Sequence, residues 1–205
     1  MFSRVLAIVS STLKLPPTPS VTISLRNDTP VRIRPLTAGD RDQLVRGFEG
    51  LSEKARYQRF FTPVSHLSTS QLDYLTDIDH IDHFAWGVET TRGDGIGIAR
   101  YVRISAARAE AAFTIADDFQ GQGLGWRMLQ ALAMVGASNG LATFEMTMLA
   151  DNTAMGHLAK RAGAVLDPPA GGTVRAELDL RPGIWSDLPE AGALLSLASA
   201  AAVAA

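Results

Sequence analysis

Apolar and polar positions alternate along several stretches of this chain, and a period of two is the pattern of half-buried strands. Residues 31–36 alternate clearly, and residues 83–89 and 95–104 form a second alternating pair around a glycine-containing turn. Residues 111–116 and 141–149 are rich in apolar and β-forming residues and predict two more strands.

Helices are predicted between these strands from a period near 3.6 residues. The strongest prediction covers residues 124–138, and shorter helices are predicted at residues 40–51, 52–61 and 70–76. A further short helix should follow Asn152, which is a natural N-cap. The apolar stripe of the strongest helix comprises Leu124, Met128, Leu132 and Val135.

The two ends of the chain differ from its middle. Residues 1–30 hold four of the ten prolines and predict a flexible arm, because the short apolar run after Arg4 lacks the cleavage site of a signal peptide. Residues 31–182 form the predicted domain. Residues 183–205 end in an Ala-rich tail that is too short to span a membrane. This tail is expected to pack on the domain or on a partner as a helix, or to stay disordered.

Composition narrows the classes of function. Hydrophobic residues make up 46% of the 205 residues, which is enough for one full domain. The net charge of −2 argues against nucleic acid as the main partner. No cysteine is present, which excludes disulfides, thiolate metal sites and cysteine nucleophiles and is compatible with the cytoplasmic location that we expect. Residues 77–83 contain Asp and His but no zinc-site spacing, so we predict no metal site.

A glycine-rich segment between a predicted strand and a predicted helix carries the most chemistry. Gly121, Gly123 and Gly125 allow positive φ angles and close approach of a ligand to the backbone. The free N–H groups at the start of the next helix form an anion site, most often for phosphate. The spacing fits neither the dinucleotide fingerprint nor the nucleotide-triphosphate loop. A phosphate-bearing ligand of another kind is predicted.

The pattern Gln120-x-x-Gly123-x-Gly125 resembles the pyrophosphate loop of the GNAT superfamily of acyl-CoA-dependent N-acyltransferases. Asn152 and Met155 also match residues that follow the fifth strand in that superfamily. The resemblance covers residues 31–182. It implies an α/β fold with a mixed, mostly antiparallel twisted sheet of six to seven strands flanked by helices. The sheet should be splayed between strands 4 and 5 to admit the pantetheine arm of acetyl-CoA.

Residues 51–61 and 75–79 resemble bacterial protein-lysine acetyltransferases that modify acyl-CoA synthetases. The implied activity is transfer of an acetyl group from acetyl-CoA to a primary amine, most often a protein lysine. A small-molecule amine acetyltransferase and a non-catalytic acetyl-CoA-binding regulatory module remain alternatives. The oligomeric state stays open, with the C-terminal tail as one possible contact.

Glu110, at the start of the strand that leads into the glycine loop, is the candidate general base. An amine must lose a proton as it attacks a thioester, and the small neighbours Ala112 and Thr114 leave this carboxylate open. Related acetyltransferases carry their base at the matching position. A solvated carboxylate at a strand end is the alternative.

Many superfamily members protonate the departing thiolate with a Tyr seven residues after the Asn, and here that position is Ala159. The thiolate would then take a proton from water or leave without one. His157 is predicted to have a surface role. Arg59 is predicted to lie on a solvated helix face, with contact to a CoA phosphate or an acidic acceptor as the alternative.

The resemblance also implies the residues that bind acetyl-CoA. A backbone N–H from residues 113–116 would polarise the thioester carbonyl. The predicted binding residues are Phe113, Ile115, Gln120, Gly121, Gln122, Gly123, Leu124, Gly125, Trp126, Asn152 and Met155.

Overall fold

A computed structural model describes residues 19–205 of the chain and places eight strands in one mixed sheet, in the order β1-β2-β3-β4-β5-β6-β8-β7. All neighbouring pairs described are antiparallel except β5 and β6, which are parallel. The strands are β1 (Val21–Ser24), β2 (Pro30–Pro35), β3 (His83–Thr90), β4 (Gly95–Ser105), β5 (Arg108–Ile115), β6 (Thr143–Leu149), β7 (Val165–Leu166) and β8 (Thr173–Asp179).

Helices cover the two faces of this sheet in different ways. One face packs against α4, the longest helix, which in turn contacts the C-terminal α6. The other face is covered by α1, α2 and α3 mainly over β4 and β5, and α2 also contacts β6. The helices are α1 (Arg41–Glu49), α2 (Glu53–Phe60), α3 (Thr69–Thr76), α4 (Leu124–Ser138), α5 (Thr153–Ala162) and α6 (Ala191–Ala204).

The main core lies between α4 and the sheet. The predicted stripe of α4 is fully buried there and packs against aromatic side chains from β3, β4 and β6. Burial of these large side chains excludes water from the centre of the domain and fixes the start of α4 relative to the end of β5. The aromatic residues are Phe84, Trp86, Tyr101 and Phe144.

The sheet separates beyond the first residues of β5 and β6. These strands pair only from Arg108 to Glu110 on β5 and from Thr143 to Glu145 on β6. The rest of β5 pairs with β4 alone, and the rest of β6 pairs with β8 alone. We call this opening the β5–β6 gap. It confirms the predicted splay, since these strands are the fourth and fifth when counted from residue 31.

The described chain extends the sheet beyond the predicted domain. Residues 21–24, which the sequence analysis assigned to the arm, form β1 and pair with β2, while residues 1–18 lie outside the described residues. With β1 and the two-residue β7, the sheet has eight strands instead of six to seven. Residues 21–25 do alternate, with Val21, Ile23 and Leu25 apolar, but the stretch is short and follows a Pro-rich segment. The two residues of β7 are too few for alternation to reveal that strand.

The Ala-rich tail is a helix that packs on the domain. Leu194 of α6 is fully buried, and Arg127 of α4 forms an ion pair with Glu190 at the start of α6. None of the helices in residues 19–205 is long and apolar enough to cross a membrane.

Candidate functional site

A cleft of about 560 Å³ lies at the end of β5, between the start of α4, α5 and α2. It brings together nine of the residues that the sequence analysis predicted. They are Phe113, Ile115, Gln120, Gly121, Gly123, Gly125, Trp126, Asn152 and Met155. Two predicted residues do not line it. The side chain of Leu124 is 1% exposed and belongs to the core, and Gln122 instead accepts a hydrogen bond on its carbonyl from Arg26.

The glycine loop leaves the start of α4 open to a ligand. Gly121 and Gly123 have φ angles of 71° and 85°, in the region that side chains rarely adopt. Gly123 is the N-cap residue and offers no side-chain hydrogen bond to the helix. The first N–H groups of α4, those of Leu124, Gly125 and Trp126, therefore lack an intrahelical acceptor and carry the positive end of the helix dipole. This arrangement binds phosphate.

The edge of β5 supplies further free donors. The N–H of Ala116 donates to the Ile96 carbonyl on β4 at 2.9 Å. Because an antiparallel ladder alternates, the N–H groups of Phe113 and Ile115 point the opposite way, into the β5–β6 gap. The carbonyl of Ile115 confirms this direction, since it accepts from Gln120 Nε2 at 3.0 Å. Phe113 and Ile115, and not their even-numbered neighbours, can therefore polarise a carbonyl placed in the gap.

Asn152 and Met155 have separate roles at the far wall of the cleft. The Asn152 Oδ1 atom accepts the Met155 N–H at 3.1 Å and caps α5. The cap fixes the helix that holds Met155 against the cleft. Asn152 is thus placed by its capping role, as its sequence position predicted.

Glu110 lies outside the cleft, three residues before Phe113 on β5, which corresponds to roughly 10 Å along a strand. Its side chain is exposed. It sits opposite Val102 of β4 and Glu145 of β6, at the last paired position before the gap. A thioester extended from the cleft along the gap would therefore reach the neighbourhood of this carboxylate.

Two arginines lie near Glu110, of which the sequence analysis named Arg59 only as an alternative contact and did not name Arg100. Burial lowers the pKa of Arg59, and the negative charge of Glu110 opposes that shift. Burial, together with the positive charge of Arg59, lowers the pKa of Arg100 to about 10. Arg59 is thus partly buried and lines the cleft, in contrast to the solvated face that its helical spacing predicted. No sequence pattern links these residues, because α2 and β4 meet only in the folded chain.

Arg100 is held by neutral groups. Its guanidinium donates from Nη2 to the Leu75 carbonyl at 3.0 Å and lies 3.0 Å from Nε2 of His83. Burial first, and then the charge of Arg100, lower the pKa of His83. A neutral His83 with Nε2 as acceptor satisfies this contact.

Arg26 is a second residue missed by the sequence analysis. It lies in the β1–β2 turn, and its N–H donates to the Gln122 carbonyl at 3.1 Å. Its side chain packs over Gly123, with Nε only 3.4 Å from the place of a Cβ on that glycine. Arg26 also lines the cleft and is exposed. The sequence analysis assigned residues 1–30 to an arm and did not use the short alternation of Val21, Ile23 and Leu25 that places β1 beside the cleft.

Arg161, Trp126 and His157 also line the cleft. Arg161 lies over the ring of Trp126, with 4.0 Å from its guanidinium carbon to the ring centroid, and both line the cleft. Arg26 and Arg161 thus add positive charge beside the open helix end. His157 lines the cleft mouth and is exposed.

The position of the usual acid is occupied by an alanine, and no metal cluster is found in the described part of the chain. Ala159, at the position of the acid in many relatives, is fully buried in the core. Residues 19–205 contain no group of three or more His, Cys, Asp or Glu that could hold a metal ion. In the Asp/His segment, the Asp79 Oδ1 atom instead accepts the N–H groups of Ile81, Asp82 and His83.

Comparison with known proteins agrees with this geometry. The profile of the Acetyltransferase (GNAT) domain matches residues 31–165. The chain is 34% identical over 185 residues to Acetyltransferase Pat of Mycolicibacterium smegmatis, a match that covers 89% of this chain and 55% of that protein. It is 35% identical over 147 residues to Acetyltransferase PA5475 of Pseudomonas aeruginosa, covering 69% of this chain and 78% of that protein. The chain thus spans about half the length of the Mycolicibacterium relative.

Solved structures show the same fold. The GNAT domain of S. lividans PAT superposes with a TM-score of 0.74 at 30% identity, covering 82% of this chain and all of that one. A cAMP-binding acyltransferase from Mycobacterium smegmatis gives a TM-score of 0.68 at 28% identity, covering 91% of this chain and 55% of that one.

Proposed function

Because this chain belongs to the GNAT family of acetyltransferases, we propose that it transfers an acetyl group from acetyl-CoA to a lysine side chain of another protein. The transfer is direct, with no covalent enzyme intermediate. A cytoplasmic location, compatible with the absence of cysteine, belongs to the same proposal.

The observation that carries the proposal is the continuity of the open α4 start with the β5–β6 gap. The phosphates of CoA fit the free N–H groups after Gly123, with Arg26 and Arg161 beside them. The pantetheine arm fits the gap, whose β5 edge presents the N–H groups of Phe113 and Ile115. This route ends next to Glu110.

Glu110 acts as the general base in the proposed reaction. The lysine nitrogen attacks the thioester carbonyl carbon, Glu110 accepts a proton from that nitrogen, and the carbon–sulfur bond breaks. The Phe113 or Ile115 N–H stabilises the negative charge that develops on the carbonyl oxygen. Since buried Ala159 offers no proton, the thiolate leaves directly or takes a proton from water.

The surroundings of Glu110 favour a protein acceptor over a small amine. Glu110 borders the part of the sheet formed by β6 and β8, where the paired residues Thr147 and Arg175 are exposed on this face. A small amine is usually enclosed by its pocket. An open sheet face instead admits a lysine on a large surface. The resemblance of residues 51–61 and 75–79 to protein-lysine acetyltransferases supports the same choice.

Release of free thiol from acetyl-CoA tests this function. Candidate acceptors are acyl-CoA synthetases, other lysine-bearing proteins and small polyamines, each with and without enzyme. We expect thiol release that depends on a protein acceptor, with the acetyl group on lysine by mass spectrometry. Release with polyamines alone would contradict the protein acceptor. Absence of any acetyl-CoA effect on thermal unfolding would contradict the whole proposal.

A further inference from the structure

Two arginines form the charged end of a small cavity behind Glu110. The cavity, of about 90 Å³, lies between α1, α2 and α3 and the face of β4 and β5. Arg59 and Arg100 line it together with mostly apolar or small residues, among them Leu75, Ile98 and Ala112. Arg34 and Glu89 also line it, but they form an ion pair with each other. We call it the Arg59–Arg100 cavity.

In the described part of the chain, Arg59 and Arg100 form no ion pair with a carboxylate, although Glu110 lies close enough for its charge to act on Arg59. Arg100 is 3% exposed, and its contacts are a carbonyl and a neutral imidazole. Among residues 19–205, neither guanidinium lies within 4.0 Å of a carboxylate oxygen. Buried cations usually have an anionic partner, because removal from water is costly without one. A carboxylate would supply the missing charge.

The cavity adjoins the cleft, because Arg59 and Thr114 line both spaces. An acyl chain that continued from a carbonyl in the β5–β6 gap past Thr114 would enter a space lined by Ala112, Ile98 and the two guanidinium groups. A protein acceptor instead approaches Glu110 from the open sheet face. The acyl group, rather than the acceptor, is therefore positioned to enter.

We propose that the Arg59–Arg100 cavity receives the acyl group and selects acyl chains that end in a carboxylate, such as the succinyl group of succinyl-CoA. This inference rests on the proposed acyl transfer. The step is unchanged: nitrogen bonds to the thioester carbon, the carbon–sulfur bond breaks, the amine proton passes to Glu110, and the electron pair leaves with sulfur. The remote carboxylate stays intact, so no further reactant is needed.

The test compares the affinity of succinyl-CoA with that of butyryl-CoA, which has the same number of acyl carbons and no carboxylate, in the absence of acceptor. Charge-assisted hydrogen bonds from arginine should make succinyl-CoA bind about tenfold more tightly or better. Arg59→Gln should bring the ratio near one. Arg46→Gln, the same charge change on exposed α1 outside the cavity, should keep the parent ratio.

Equal affinity for the two thioesters in the parent protein would overturn the inference, as would an unchanged ratio in Arg59→Gln. Arg100→Met, with circular dichroism to check folding, gives a second independent loss of charge. Peptide acceptors with Asp or Asn beside the lysine form a separate arm with acetyl-CoA. If Arg59→Gln removes a preference for Asp there and leaves the acyl-CoA ratio unchanged, the carboxylate belongs to the acceptor and the inference is wrong. Acetyl-CoA binding with transfer but no succinyl preference would leave the proposed function intact.

Discussion

The glycine loop and the Glu110 end of β5 are the two halves of the proposed site, and they are built differently. The loop offers backbone donors from one continuous segment, residues 120–126, which are placed by glycine conformation and by the start of α4. The Glu110 end depends on side chains from α2, β4 and β5, with α3 and β3 holding Arg100. Backbone chemistry is local and tolerates changes of neighbouring side chains. Side-chain chemistry depends on how distant elements pack.

This difference predicts different consequences of mutation. Changes in the loop should affect acyl-CoA affinity, and changes at Glu110 should affect the rate. The separation fails if one variant alters both quantities to the same extent.

The largest effect is expected from Glu110→Gln. Loss of the proton acceptor should lower the maximal rate by roughly 10²–10⁴-fold and leave acetyl-CoA affinity nearly unchanged. Steady-state kinetics together with calorimetric binding would measure both. Because Glu110 is exposed, the variant should fold. His157→Ala, an exposed titratable residue that lines the cleft, is the control and should leave the maximal rate nearly unchanged. An unchanged rate in Glu110→Gln would leave Glu110 as a solvated strand-end residue.

Gly123→Val should abolish acetyl-CoA binding. The φ angle of 85° disfavours valine, and the added side chain would meet Arg26 and narrow the anion site. In the parent, ligand at a hundred times its dissociation constant should stabilise the fold by about 2.7 kcal/mol. Thermal unfolding with and without acetyl-CoA measures the difference. Gly140→Val places the same residue at a positive φ of 81° with open space around it, so its ligand response should survive.

Arg26→Gln should weaken acetyl-CoA about tenfold or less, because an exposed arginine near phosphate contributes a screened attraction. The loss should shrink at high salt. Isothermal titration at two salt concentrations would show this. Arg92→Gln, an exposed arginine in the β3–β4 turn outside the cleft, should have no such effect. Equal affinities of parent and Arg26→Gln would remove Arg26 from the site.

The smallest expected effect is a pH dependence of the free energy of unfolding that comes from His83, which contacts Arg100. Burial and Arg100 hold the pKa of His83 below the ordinary value of 6.5. Between the folded and unfolded pKa values the unfolded state binds more protons, so the free energy of unfolding should fall as pH drops below about 6.5. Urea unfolding at several pH values measures the slope. His83→Gln should reduce this slope only in part, because burial also lowers the pKa of His80. The exposed His66→Gln should keep the parent slope, and an equal slope in His83→Gln would contradict a neutral buried His83.

The two halves also differ in how much the sequence predicts. The glycine spacing, the stripe of α4 and the Asn152 cap are local patterns, and the structure places each where the sequence indicates. The family and the splay were predicted from the same residues. Arg100 and Arg26 were not predicted as site residues, and Arg59 was named only as an alternative contact. Their positions depend on α2, β4 and a four-residue edge strand meeting around β5, and no periodicity records such a meeting.

The three-residue pairing of β5 with β6 has a consequence for amide hydrogen exchange. Beyond Glu110, the N–H groups of Ala112 and Thr114 turn toward β4, whereas those of Phe113 and Ile115 face the gap. Along β5, the amide protons of Ala112 and Thr114 should therefore exchange slowly and those of Phe113 and Ile115 quickly. A thioester lying in the gap would slow only the fast positions. The residues of β5 that lose deuterium uptake on binding would therefore show how far a bound thioester extends along the gap.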